Sequence, residues 1–172
     1  HESLPPLSNL RPAAYGASPE NRARLAREIV RALRAEHPDL PIVVRVSGDE
    51  WVAGGFDPDA ALQLARWLAE DGADMIDCSS GGNVADAPIP LGPSYQVRIA
   101  AKVREAGLPV GAVGLITSPE QAEGILATGQ ADVISLARPL LADPHLPIAW
   151  AHRLHAENAA ELVPPQYARA RF

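Results

Sequence analysis

Gly72-Ala73-Asp74-Met75-Ile76-Asp77 and, further along, Gly129-Gln130-Ala131-Asp132-Val133-Ile134-Ser135 run the same course: a glycine past a helix end, an Ala-Asp step, then an apolar stretch. A helix, a short turn and a strand are being reused, and such alternation builds parallel βα architectures. Working outward, four segments read as short strands: Ile42–Ser47, Met75–Cys78, Val110–Val113 and Val133–Leu136. Each is apolar nearly throughout and rich in Val or Ile, the pattern of parallel strands covered on both faces. Between them lie helix-length stretches with periodic apolar positions, Ala60, Leu62, Leu64, Ala65, Trp67 and Leu68 in one and Val97, Ile99, Ala100 and Val103 in the next, while a further helix from about Glu20 to Ala35 precedes the first strand. Ser18-Pro19, Asp57-Pro58 and Ser118-Pro119 each set a capping side chain before a proline at the first helical position. Gly72, Gly107 and Gly129 stand where a left-handed residue ends a helix at little steric cost.

This alternation fits either an open doubly wound sheet or a (β/α)8 barrel. A full barrel takes about 250 residues, so a chain of 172 residues supplies only part of one. Residues 1–157 are expected to form that α/β unit, and residues 158–172, with Pro164-Pro165, an extended C-terminal arm. The chain starts at His1 within Glu2-Ser3-Leu4-Pro5-Pro6, which reads like the middle of a longer polypeptide.

Composition narrows the function classes. With 47% apolar and 21% charged residues, the chain can bury one core. Fifteen Lys and Arg against 21 Asp and Glu give a formal charge of -6, with basic residues scattered, which argues against a nucleic-acid partner. Cys78 is the only cysteine, so neither an internal disulfide nor a four-thiolate zinc site can form. No run reaches the ~18 apolar residues of a membrane span. A cytoplasmic protein without membrane contact is expected.

In parallel βα folds, reactive residues lie at the carboxyl ends of the strands. Arg45, inside Val43-Val44-Arg45-Val46, requires an anionic or hydrogen-bonding partner if buried. That partner is either a ligand or an ion pair within the sheet layer. The glycine-rich run Asp77-Cys78-Ser79-Ser80-Gly81-Gly82-Asn83 admits close approach of a flat ligand to backbone, or is a plain tight loop. Gly111-Ala112-Val113-Gly114-Leu115-Ile116-Thr117 and Ala137-Arg138-Pro139-Leu140-Leu141 are candidate anion sites, since helix starts carry partial positive charge and arginine offers a planar fork of donors. A phosphate site after the last two strands is recurrent in barrels, which numbers these strands five to eight.

Taken in series, these motifs resemble the C-terminal half of the old yellow enzyme family, FMN-dependent ene reductases, and particularly its thermophilic-like class. The resemblance is carried by Leu7-Ser8-Asn9 with Arg11, Tyr15-Gly16-Ala17-Ser18-Pro19-Glu20-Asn21-Arg22, Val44-Arg45-Val46-Ser47, Asp77-Cys78-Ser79-Ser80-Gly81, the run Gly111 to Thr117, Ala137-Arg138-Pro139-Leu140-Leu141-Ala142-Asp143-Pro144, and Gln166-Tyr167-Ala168-Arg169. It implies a half TIM barrel of strands five to eight. Arg45 matches the arginine that contacts the flavin ring near N1 and the C2 carbonyl, while Gly114, Ala137 and Arg138 match the loops holding the FMN phosphate. The family often has Gly-Arg where this chain has Ala137-Arg138. Arg169 matches an arginine that reaches a neighbouring subunit's active site, which makes the tail functional in an oligomer.

The implied activity is hydride transfer from NADPH or NADH through FMN to the C=C bond of an α,β-unsaturated carbonyl compound. The family's paired His, or His and Asn, and its proton-donating tyrosine lie upstream of this chain's first residue. No residue of this chain is therefore assigned as catalytic, and His1 is not one of that pair. Two further readings stand beside this one. The chain is a non-catalytic half-barrel held together by self-association or by a complementary half, or it belongs to another phosphate-binding barrel enzyme. On the first reading, Arg45 and Arg138 are expected to grip one ligand in one shared cavity.

The remaining constellations read more plainly. His152 and His155 share a predicted helix, but no third metal ligand is placed beside them, so an exposed face accounts for them. Cys78 reads as a small buried hydrophobe. Asp49-Glu50 and Asp57-Asp59 read as helix N-terminal carboxylates. Arg22, Arg24, Arg27, Arg31 and Arg34 read as a solvated helix face or a contact to neighbouring barrel elements.

Overall fold

The computed structural model describes residues 2–167 and 169. Four parallel strands, β1 Val43–Ser47, β2 Met75–Ser79, β3 Val110–Ala112 and β4 Val133–Ile134, form one sheet in the order β1-β2-β3-β4. The helices are α1 Pro19–Glu36, α2 Pro58–Glu70, α3 Val97–Val103, α4 Pro119–Ala127, α5 Arg138–Ala142 and α6 Leu146–Arg153. The three capping sites hold as read. Ser18, Asp57 and Ser118 accept hydrogen bonds from the amides of Asn21, Ala60 and Gln121, each ahead of a proline. Gly72, Gly107 and Gly129 all have positive φ.

The repeated Ala-Asp step has a physical purpose. Asp74 Oδ2 accepts the Ile42 amide at 2.7 Å, just before β1, and is clamped by Arg34 of α1. Asp132 Oδ2 accepts the Val110 amide at 2.9 Å, at the start of β3, and is held by Arg104, which follows α3. In both copies an aspartate leading one strand fixes the start of its neighbour. The arginines of α1 belong to the same stapling: Arg27 and Arg31 meet Asp71 at the end of α2, and Arg34 also donates to the Gly72 carbonyl.

The expectation that the sheet is covered on both faces is corrected. Side chains alternate across a strand, and Val46, Ile76, Cys78, Val110 and Ala112 are buried in one core with Leu64, Leu68, Ile99, Ala100 and Val103 of α2 and α3. The alternate positions Val43 and Val133 are 55% and 42% exposed, and the Arg45 side chain is 56% exposed. Helices thus cover one face and, among the described residues, leave the other bare. The tail also departs from an extended arm. Over residues 158–167 it winds into two short 3-10 turns, Ala159–Leu162 and Pro165–Tyr167, with Ala159 buried. No described helix is long and apolar enough to cross a membrane.

Candidate cofactor site

A cavity of about 430 Å3 opens at the carboxyl ends of β3 and β4, lined by Gly114, Ala137 and Arg138 together with Tyr95, Gln96, Thr117 and Ser135 among others. Its volume lies within the roughly 300–1,000 Å3 range of small-molecule sites. Two glutamines hold the loop after β3 in shape. Gln96 is buried, donates to the Val113 carbonyl at 3.3 Å and accepts from Ser80 Oγ at 2.6 Å. Gln121 of α4 accepts the Thr117 amide at 2.9 Å and donates to the Leu115 carbonyl at 3.0 Å.

Gly114 is required on two counts. Its φ is +119°, and a Cβ there would stand 2.5 Å from Gln96 Nε2 and 3.1 Å from Tyr95 Cε1. The next residue, Leu115, also has positive φ, at +52°, so the loop turns its main chain tightly at the cavity wall. Arg138 is exposed and forms no ion pair among the described residues. An uncompensated guanidinium beside a tight main-chain turn is a donor set for a dianionic group such as a phosphate monoester. Ala137, with φ -107° and ψ -81°, leads directly into α5 and needs no left-handed freedom. Alanine serves at that position.

Arg45 lies elsewhere. Its guanidinium sits on the bare sheet face, where Nη1 donates to Asp77 Oδ2 at 2.5 Å, and it is not among the residues lining the cavity. The intra-sheet ion pair, one of the two alternatives for its partner, is formed with Asp77. The expectation of one cavity shared by Arg45 and Arg138 is not met within the described residues, because Arg45 stands on the uncovered sheet face and Arg138 at the ends of β3 and β4. Arg169 is exposed and likewise apart from the cavity lining. Its motif includes Ala168, which lies outside the described residues, as does His1.

Other candidates resolve plainly. Cys78 is buried, and desolvation, reinforced by the Asp77 carboxylate, pushes its thiol up to about 12, leaving it protonated. Asp57 and Asp59 stand at the start of α2 as read. Asp49 and Glu50 do not cap a helix, which corrects their reading. They are 7% and 2% exposed in the loop after β1, where Asp49 accepts the Trp51 amide and pairs with Arg98, while Glu50 Oε2 accepts the Phe56 amide at 2.8 Å. His152 belongs to α6, but His155 lies past its end with φ +55°, so the two do not share a helix face. Among the described residues, no cluster of three or more His, Cys, Asp or Glu that could hold a metal ion occurs. Thr117 belongs to a run read in the sequence as a candidate anion site, whereas Tyr95, Gln96 and Ser135 of the cavity were missed as site residues. Trp51, whose ring lies 6.1 Å from Tyr95 and under Arg98 at 4.5 Å, forms a second layer behind it.

A profile of the NADH:flavin oxidoreductase / NADH oxidase family matches residues 1–157. The chain is 46% identical over 171 residues to an NADPH dehydrogenase of Halalkalibacterium halodurans, covering 99% of this chain and 49% of that protein. It is 45% identical over 170 residues to an NADPH dehydrogenase of Bacillus subtilis, with 98% and 49% coverage. The chain therefore spans about half the length of the curated relatives it matches. Among solved structures, a 2-naphthoyl-CoA reductase complex superposes with a TM-score of 0.77 at 25% identity, over 94% of this chain and 25% of that one. Histamine dehydrogenase from Rhizobium sp. 4-9 superposes with a TM-score of 0.72 at 31% identity, over 92% and 24%. Morphinone reductase, at 24% identity and a TM-score of 0.68 over 90% and 40%, shares the fold.

Proposed function

Because the chain belongs to the NADH:flavin oxidoreductase / NADH oxidase family, and with it to the old yellow enzymes, we propose that it forms strands five to eight of a (β/α)8 barrel in an FMN-dependent, NAD(P)H-oxidising ene reductase. Residues 1–157 are the half-barrel carrying the flavin-phosphate site, and residues 158–172 its C-terminal arm. The observation that carries this reading is the cavity at the ends of β3 and β4, where Gly114 and Ala137 meet Arg138, which has no ion pair among the described residues. Main-chain donors of the Gly114 loop and the Arg138 fork hold the FMN phosphate. When bound, FMN supplies two-electron transfer between NADPH or NADH and the activated C=C bond of an α,β-unsaturated carbonyl compound. Arg45 faces the flavin ring and favours the extra negative charge that the ring carries on reduction. Arg169 reaches the substrate site of a neighbouring subunit. The catalytic acid and the carbonyl-binding pair come from a segment outside this chain, and the whole acts in the cytoplasm as an oligomer or with a complementary half-barrel.

The test is an absorbance spectrum of the purified chain mixed with FMN and freed of excess. A retained yellow band bleached by NADPH or NADH supports the reading, and a colourless protein counts against it. A second reading has its own support. The bare sheet face and the internal Arg45–Asp77 pair also suit a non-catalytic half-barrel that binds flavin weakly and persists by self-association.

A further inference from the structure

A polar row crosses the bare face of the sheet at one level. Arg45 of β1 is the register partner of Asp77 of β2, and Asp77 is the partner of Gly111 of β3. Asp77 uses both carboxylate oxygens. Oδ2 accepts from Arg45 Nη1 at 2.5 Å, and Oδ1 accepts from Ser135 Oγ at 3.2 Å, beyond the end of β4. Gly111 is the gap that permits this reach, since a Cβ there would stand 2.8 Å from Asp77 Oδ1 and 3.0 Å from Met75 Cε. Ser135 in turn lines the cavity that holds Gly114, Ala137 and Arg138. The row therefore joins Arg45, which stands outside the cavity, to the cavity wall through one carboxylate. The Asp77 side chain is 14% exposed while that of Arg45 is 56% exposed, so the anchored member is the aspartate and the free one is the arginine.

We propose that Asp77 is a positioning residue that fixes the Arg45 guanidinium and sets how much of its positive charge a bound flavin ring feels, with Ser135 locking the carboxylate from the cavity side. The proposal rests on the reading of Arg45 as the arginine that faces the flavin. A carboxylate in contact with a guanidinium offsets part of its field. Removing that negative charge while keeping the shape leaves Arg45 more strongly cationic, and a more cationic site favours the reduced, more negative ring over the oxidised one.

The experiment uses the 172-residue chain with FMN, measuring dissociation constants for oxidised and reduced FMN by flavin fluorescence and absorbance, and the midpoint potential by equilibration with a reference dye. Asp77→Asn is expected to raise the preference for reduced over oxidised FMN about tenfold, a positive shift of about 30 mV for a two-electron couple. In an Arg45→Ala background the shift is expected to fall by at least half, because the part that depends on how Asp77 holds the guanidinium is gone and only the carboxylate's own field remains. A variant that binds FMN with unchanged potential, or whose shift survives undiminished without Arg45, overturns the proposal alone. A wild-type chain that leaves FMN free in solution overturns the flavin reading and the proposal with it. Should Asp77→Asn fail to fold, Ser135→Ala carries the test. FMN binding weakened severalfold, restored by Ser135→Thr and insensitive to Ser135→Ala once Arg45 is Ala, supports the proposal; an unchanged dissociation constant overturns it.

Discussion

Arg138 and Gly114 make the cavity for different reasons, and their substitutions separate accordingly. The Arg138 side chain is exposed and carries no ion pair among the described residues, so the fold loses little without it. Arg138→Ala is expected to weaken FMN retention about tenfold or more, the scale of a lost charge-assisted hydrogen bond, while the urea midpoint stays within experimental error. Equal losses in both measurements would make its role structural. Gly114→Ala is expected to damage both. Its φ of +119° and the 2.5 Å approach to Gln96 Nε2 leave no room for a methyl group, at a cost on the order of 1–3 kcal/mol, read as a lower thermal midpoint together with lost flavin retention. The loops that carry Gly114 and Ala137-Arg138 were legible in the sequence as a strand end and a helix start, while the choice of these three residues came from the family resemblance. Gln96 and Ser135 were not legible: their importance comes from a carbonyl and a carboxylate that long-range folding brings to them. The pairing of Arg45 with Asp77 was legible only as a demand that some anion face the arginine.

At the scale of elements, the two aspartates that precede β2 and β4 make acid stability a property of strand alignment. The carboxyl of Asp74 is held below its ordinary value first by the Ile42 amide and then by Arg34; that of Asp132 first by Arg104 and then by the Val110 amide. A carboxyl depressed on folding contributes stability that is fully present above its unfolded value of about 3.9 and is lost as pH falls through the folded value. Asp74→Asn and Asp132→Asn are therefore expected to lower the urea midpoint at about pH 7 and to flatten its decline between about pH 4 and about pH 2, as followed by circular dichroism. The repeat itself was visible in the sequence, as were the Ser-Pro and Asp-Pro helix starts, because turn and cap chemistry is local. The burial of Asp49 and Glu50 was not, since the loop after β1 folds back so that the Phe56 amide meets Glu50, a closure that no spacing rule encodes.

At the scale of the whole molecule, among the described residues the sheet has two free edges, β1 and β4, and one bare face on which Val43 and Val133 are exposed. Leu25, Ile29 and Leu33 of α1 add an exposed apolar row at four-residue spacing. Free edges and uncovered apolar rows favour pairing with another chain. The purified chain is expected to sediment as a dimer or larger species; a stable monomer across a range of concentrations would contradict this. Which face is uncovered could not be read from the strands, because a barrel interior and a helix-covered face both select Val and Ile. A different consequence follows from Trp51, held at φ +61° with its ring between Arg98 and Tyr95, the latter on the cavity wall. An indole locked one ring away from a binding chamber is a built-in optical gauge: any occupant that nudges the phenol alters the surroundings of the indole, and a change in its ultraviolet emission registers the visit without a dye or a label.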